Sequence, residues 1–274
     1  MRPPRPDIAA PELPARLRWI GAQRAPRMAE LTAAGPVLVH FLDFAQLNSV
    51  RALPYLIAWE ARYRDAGLAT LGVHSPRFGF TGDRAALAPA LERLGIRHPV
   101  ADDSRYAVWH DYGCEGWPSL FLWGQGGALR WFAFGEGEYG ATEAAIVDEL
   151  RALDPDFEAP PPLEPLRASD APDALVAPPT EEVFPGGSPT EPWRAGAGVD
   201  PLRLEYRAGG AHASIAAAGE LRVALDGAAP RALEVAGPGL VDLALHPRHE
   251  RHSLTLDADP GIEVYSVSFS AGVP

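Results

Sequence analysis

Cysteine is almost absent from this chain: Cys114 is the only one in 274 residues. A single thiol excludes an intramolecular disulfide, and with it both a disulfide framework and a dithiol redox pair. Lysine is missing altogether, since all 24 basic residues are Arg. Together with the abundance of Ala, Pro and Gly this reads as coding bias and carries no functional weight. Long apolar runs are missing too. No window approaches the roughly 18 apolar residues of a membrane span, and the prolines at positions 3, 4, 6, 11 and 14 interrupt any apolar core of about 7–15 residues that a signal peptide needs. The expectation is a cytoplasmic protein without membrane insertion. Positive charge is in deficit, 24 basic against 36 acidic residues for a formal charge of −12. Such a field repels phosphate backbones and anionic headgroups, so no nucleic-acid partner is expected. The 27 glycines and 29 prolines make up about 20% of the chain, below the roughly 25–30% of low-complexity sequences.

At about 100–200 residues per domain, two modest domains fit the length. Residues 37–42 form a nearly continuous apolar, β-branched run after Pro36, the pattern of a strand buried on both faces. A helix follows over 49–64, with Val50, Leu53, Leu56, Ile57 and Trp59 at helical spacing, Pro54 kinking it and Gly67 ending it. A second strand spans 69–74, and a helix over 83–94 has Asp83 as N-cap and Gly95 beyond its end. A short helix around 106–112 comes next. Residues 119–123 and 128–134 make a hairpin around Gly124, Gly126 and Gly127, and Thr142 to Leu153 closes the unit as an amphipathic helix. Strands alternating with helices argue an α/β domain over 1–153.

From 154 to 192 prolines are scattered among acidic residues and alanines, as in a semi-rigid linker. Its apolar island, Val183 and Phe184, is expected to dock on a neighbouring domain. Residues 193–274 alternate apolar and polar in short runs (202–206, 213–217, 221–225, 232–235, 240–245, 253–256 and 262–269), with turns at Asp226–Gly227 and Asp259–Gly261. This is the pattern of a small all-β sandwich, near the lower size limit for independence, and so expected to pack on the first domain.

Five segments carry a family resemblance. They are the strand-to-helix stretch 37–56, the turn Gly72 to Phe78, the approach Asp111 to Pro118, the loop Phe134 to Tyr139 with Thr142 and Glu143, and the closing Asp259 to Phe269. Together they resemble the DipZ-type branch of the TlpA-like thioredoxin family, in which a thioredoxin domain precedes a jelly-roll module resembling carbohydrate-binding domains. The resemblance implies that Pro118 is the family's cis-proline and that Pro54 is its helix-kinking proline. It also implies a departure. Where the family carries Cys-x-x-Cys, this chain has Gln46, Leu47, Asn48 and Ser49, so an amide replaces the nucleophilic thiol and a hydroxyl the resolving one. The family's buried acid corresponds to His40, and its usual Trp to Leu42. Disulfide exchange needs a thiolate and a second thiol to release the mixed disulfide, so this degenerate active site cannot run it.

Two readings of different class follow. The first is a redox-inactive thioredoxin-fold protein that binds an extended peptide, a protein or a small ligand without covalent chemistry. Its groove candidates are His40, His74, Cys114, Trp117, Pro118 and Glu136 beside Gln46–Ser49. The second is a thiol-dependent oxidoreductase or peroxidase working through Cys114. The first is preferred, because Cys114 is off the helix start and next to the anionic Glu115, which disfavours a thiolate. No catalytic residue, cofactor or metal is assigned. His40 reads as a core histidine more readily than as a general base, and His40 with Ser49 lacks a nucleophile elbow. His246, His249 and His252 sit beside Pro247 among alternating charges, which predicts a solvated turn where three imidazoles need not converge. Glu136 and Glu138 are flanked by glycine and read as solvent-exposed. In the β module Trp193, Tyr206, Tyr265 and Phe269 are few for sugar stacking, so carbohydrate binding rests on the resemblance alone.

Overall fold

The computed structural model describes residues 1–3 and 7–274; positions 4–6 of the proline-rich N-terminal stretch lie outside the described residues. By its contacts the chain divides into two compact units, the first made of 1–44, 48–76 and 91–164, the second of 45–47, 77–90 and 165–274.

In chain order the α/β elements are β1 (Arg18–Ile20), α1 (Met28–Ala34), β2 (Val37–Leu42), α2 (Leu47–Tyr63), β3 (Ala69–His74), α3 (Arg84–Arg93), β4 (Val100–Asp102), α4 (Ala107–Asp111), β5 (Ser119–Trp123), β6 (Leu129–Phe134) and α5 (Tyr139–Leu153). The six strands form one sheet in the order β1-β4-β3-β2-β5-β6. β2 is central, parallel to β3 and antiparallel to β5, and every one of its residues is buried. Val37, Val39 and Phe41 enter a core shared with Leu71, Val73, Trp109, Tyr112 and Phe121. This is the thioredoxin-like α/β arrangement.

Three local features differ from the sequence expectation. β1 and α1 were not anticipated, because α1 has no side-chain cap of its own at Arg27. Instead the Glu12 carboxylate accepts the backbone N–H groups of Met28 and Ala29 at 3.2 and 2.7 Å, a cap drawn from 16 residues back that satisfies orphan helix donors. α2 begins at Leu47, two residues early. α5 begins at Tyr139, where Glu138 takes a left-handed φ of 51°. Thr142 is therefore no N-cap: its hydroxyl donates to the Glu138 carbonyl and accepts from Trp131 Nε1.

The remaining strands are β7 (Trp193–Arg194), β8 (Leu202–Ile215), β9 (Gly219–Leu225), β10 (Arg231–Val235), β11 (Gly239–Ala258) and β12 (Glu263–Ser270). They make a single, all-antiparallel, curled sheet in the order β10-β9-β11-β8-β12-β7. Two pairs of expected short strands are fused here. Residues 202–215 run as one strand through Gly209 and Gly210, and 239–258 as another, with register shifts between Asp242 and Ala244 and between Leu245 and Glu250. Bulges bend a strand without ending it, so residues that read as turn signals are absorbed into β11. The three histidines are accordingly on a strand rather than in a solvated turn. The His246 and His252 rings stack at 3.7 Å with 14° between their planes, and Tyr206 Oη lies 2.7 Å from His246 Nε2.

The second unit draws in segments distant in sequence. Val183 exchanges backbone hydrogen bonds with Val267 and packs on the β core, which gives the apolar island its partner. Arg77 forms an ion pair with Glu182, whose carboxylate also accepts the Ser268 hydroxyl at 2.8 Å. Phe80 lies 4.8 Å from Tyr265. The Ser214 hydroxyl donates to the carbonyl of Ala45 at 2.7 Å and accepts from Ser266 at 3.1 Å. Among the described residues no helix is long and apolar enough to cross a membrane.

In the first unit the chain passes itself closely at Gly35. A Cβ there would lie 2.8 Å from the Gly67 carbonyl oxygen, which is backbone and cannot swing aside. Gly35→Ala is expected to destabilise the protein by about 1–3 kcal/mol, the cost of overpacking; an unchanged urea midpoint would contradict the close approach.

Candidate functional site

The site that the family motif would occupy begins where β2 leaves the sheet. Ser49 is buried, and its Oγ accepts the backbone N–H of Asp43 at 3.1 Å, closing the turn from β2 into α2. Gln46 and Leu47 are buried as well, at 9% and 5% exposure, and group with the second unit; Asn48 is half-buried. The positions that hold thiols in the family thus carry side chains enclosed in the structure.

His40, in the middle of β2, is wholly buried. Its Nε2 lies 2.7 Å from Nε2 of His98, whose Nδ1 lies 2.9 Å from Glu60 Oε2. Glu60 also pairs with Arg64. The carboxylate accepts from His98 Nδ1–H, which leaves Nε2 of a neutral His98 ring as the acceptor for His40 Nε2–H. Nδ1 of His40 then has no partner. Burial, and next to it the neighbouring His98, hold the His40 pKa well below 6.5. Glu60 is held below its usual range chiefly by the His98 hydrogen bond. The position that the resemblance gives to the family's buried acid thus holds His40, which connects through His98 to a carboxylate on α2, Glu60. Neither Glu60 nor His98 was singled out from sequence, because 38 residues separate them and no local pattern pairs them.

His74 ends β3, buried and stacked on Phe44 at 5.2 Å. Burial lowers its pKa, opposed by the charges of Asp43, Asp102 and Asp103. Asp103 accepts the N–H groups of Val108 and Trp109 and so caps α4. Trp117 donates Nε1–H to the Ser75 carbonyl at 2.9 Å and packs on Trp109, and its peptide bond to the buried Pro118 is cis. Glu136 receives Arg51 Nε on both oxygens, at 2.7 and 3.0 Å, with both side chains largely covered. It is a partner in an ion pair rather than a solvated loop carboxylate. Glu138, by contrast, is exposed and faces the N-terminal amine at 3.4 Å.

Cys114 is half-buried. Burial pushes its thiol up to about 12, against a lowering hydrogen bond from Ser119. Burial thus favours the neutral thiol over the nucleophilic thiolate at this position. Among the described residues no three His, Cys, Asp or Glu side chains converge to hold a metal ion. The chemistry on offer is hydrogen bonding and ion pairing, without an activated thiol.

Protein DipZ of Mycobacterium tuberculosis is 34% identical to this chain over 144 residues, which are 53% of this chain and 21% of DipZ. Over these residues the chain is similar to DipZ, and its first unit has a thioredoxin-like fold. The chain spans about a fifth of the length of the DipZ proteins it matches. NHL repeat-containing protein 2 of Bos taurus is 30% identical over 132 residues, 48% of this chain and 18% of that protein. Among solved structures, a thioredoxin-like superfamily protein superposes with a TM-score of 0.48 at 23% identity, covering 56% of this chain and 99% of that one. No family profile matches. At the motif position of the thioredoxin-like unit the chain carries no cysteine, with Gln46 and Ser49 in the two places.

Two outcomes follow from this geometry. With His40 and His74 both depressed, folding favours their neutral forms; that stability is complete above about pH 6.5 and is lost as pH falls through that value. Unfolding by urea should therefore need less denaturant at pH 5 than at pH 7.5, and His40→Leu should flatten the difference; an identical pH slope in the variant would remove His40 as a source. Cys114 should react with iodoacetamide at pH 7.5 at least about 100-fold more slowly in the folded protein than in the urea-unfolded chain. Equal rates would mean that the thiol is not held back by burial.

Proposed function

We propose that this protein is a redox-inactive thioredoxin-fold scaffold that engages its partner non-covalently and performs no thiol chemistry. The observation that carries this reading is the burial of the motif segment. Ser49 closes a turn by accepting the Asp43 N–H, and the Ala45 carbonyl is taken up by Ser214. Both groups of this segment are committed to internal hydrogen bonds. The same burial favours scaffolding over capture of an extended peptide at the old groove, because Gln46, Ser49, His74 and Pro118 each expose less than a tenth of their surface or just that much. A partner peptide or protein is then met elsewhere on the surface. A thiol enzyme working through Cys114 has the raised thiol pKa against it. Carbohydrate binding by a jelly-roll-like β module remains an inheritance of the resemblance, with Tyr206 and Phe269 turned into the core.

Insulin reduction with dithiothreitol tests the reading. The protein should give no rate above the protein-free control. The double variant Gln46→Cys, Ser49→Cys should also stay at background towards insulin, since its thiols would be enclosed. Turnover by the unmodified protein would sink redox inactivity, whereas turnover by the double variant alone would show that the segment is open and would sink the scaffold role.

A further inference from the structure

The curled sheet carries a second constellation, independent of the reading above. His212 of β8 lies opposite Asp242 of β11 on one side and Ser268 of β12 on the other. Its Nδ1 is 2.7 Å from Asp242 Oδ1 and its Nε2 is 3.0 Å from the hydroxyl of Ser270. The order Asp–His–Ser has a defined proton arrangement. The carboxylate accepts from Nδ1–H, which leaves the Nε2 lone pair facing the serine O–H. His212 is 2% exposed and Ser270 4%, while the Asp242 side chain reaches solvent.

Two features select Ser270 from the serines of this face. The nearer cross-strand residue, Ser268, is turned away to Glu182, and Ser214 and Ser266 donate to a carbonyl and to another hydroxyl. Of the four, Ser270 alone is bonded to an imidazole nitrogen. Its cross-strand neighbour is Gly210, where a Cβ would lie 2.8 Å from Ser270 Oγ and 3.1 Å from His212 Nε2. Any side chain there would press on both partners of the bond. A register shift follows Asp242 in β11, and such irregularities re-aim side chains next to reactive sites.

We propose that Ser270 is a base-activated nucleophile and that this unit transfers acyl groups from small esters to water. Ser270 Oγ bonds to the ester carbonyl carbon as its proton passes to His212 Nε2. The bond from that carbon to the alcohol oxygen breaks, and the departing oxygen takes the proton from Nε2. Water then attacks the acyl-serine by the same route, giving its proton to Nε2 and releasing the carboxylic acid as Oγ regains a proton. Asp242 holds the imidazole in the required tautomer throughout.

A fluorophosphonate probe on the full chain, with peptide mapping, and p-nitrophenyl acetate hydrolysis test this. The probe should mark Ser270, and Ser270→Ala should abolish both the label and the hydrolysis above background. His212→Gln should slow labelling on the order of 100-fold or more, the usual worth of a positioned base. Should His212→Gln fail to fold, Asp242→Asn, whose side chain is largely in solvent, is expected to slow labelling at least about tenfold in a protein that melts like the parent. The absence of label on Ser270, or a labelling rate unchanged in a folded His212 or Asp242 variant, would reduce the constellation to a structural hydrogen-bond chain and overturn the proposal.

Discussion

Much of the first unit hangs on the double pairing of β2. This strand is parallel to β3, antiparallel to β5 and buried throughout, so each polar atom placed on it must find a partner within the protein or remain unmet at a cost of about 1–3 kcal/mol. His40 is the one side chain on β2 to which that demand applies. The response is a chain of polar groups through His98 to Glu60 and Arg64, which carries the demand from a strand with no access to water to the exposed Arg64 guanidinium. Gly72 on β3 accommodates it sterically, since a Cβ there would lie 3.2 Å from His40 Nε2. One polar residue in the central strand thus conditions a helix, a loop and a neighbouring strand.

Where the resembled family carries a dithiol, the atoms of this chain make internal hydrogen bonds. In a thiol enzyme the start of α2 must remain open to a substrate disulfide. Here its turn is closed by the Ser49 hydroxyl, and the preceding carbonyl is bonded to Ser214. The lone thiol of Cys114 sits where burial favours its neutral form. The motif positions carry no thiol, and the single cysteine lies elsewhere, at Cys114.

Residues whose structure is decided by near neighbours were legible in the sequence. The run 37–42 became β2 with its expected bounds, as did 69–74 and 119–123, because continuous apolar, β-branched stretches have few alternatives in an α/β sheet. Asp83 caps α3 through Ala85 N–H, again a local matter. What escaped depends on partners far along the chain. The cap of α1 comes from Glu12, the partner of His40 from the residue at 98, and the continuity of β11 from its pairing with β8 across a stretch whose His and Pro residues read as a turn. The candidate site was legible as a loss, Gln46 and Ser49 in place of thiols. Its burial was not, for nothing local at Ala45 points to a serine 169 positions away.

That separation bears on how the protein is made. The second unit is discontinuous in sequence: it takes in 45–47 and 77–90 together with 165–274. During synthesis the first two segments emerge long before the strand carrying Ser214, and until that strand exists the Ala45 carbonyl lacks the hydroxyl that it will accept. Contacts between such distant positions form late, since the closure entropy of the intervening chain must be met before they stabilise anything. The motif segment is the first of the unit to be synthesised, and its hydrogen bond from Ser214 is among the last of the unit's contacts that can form.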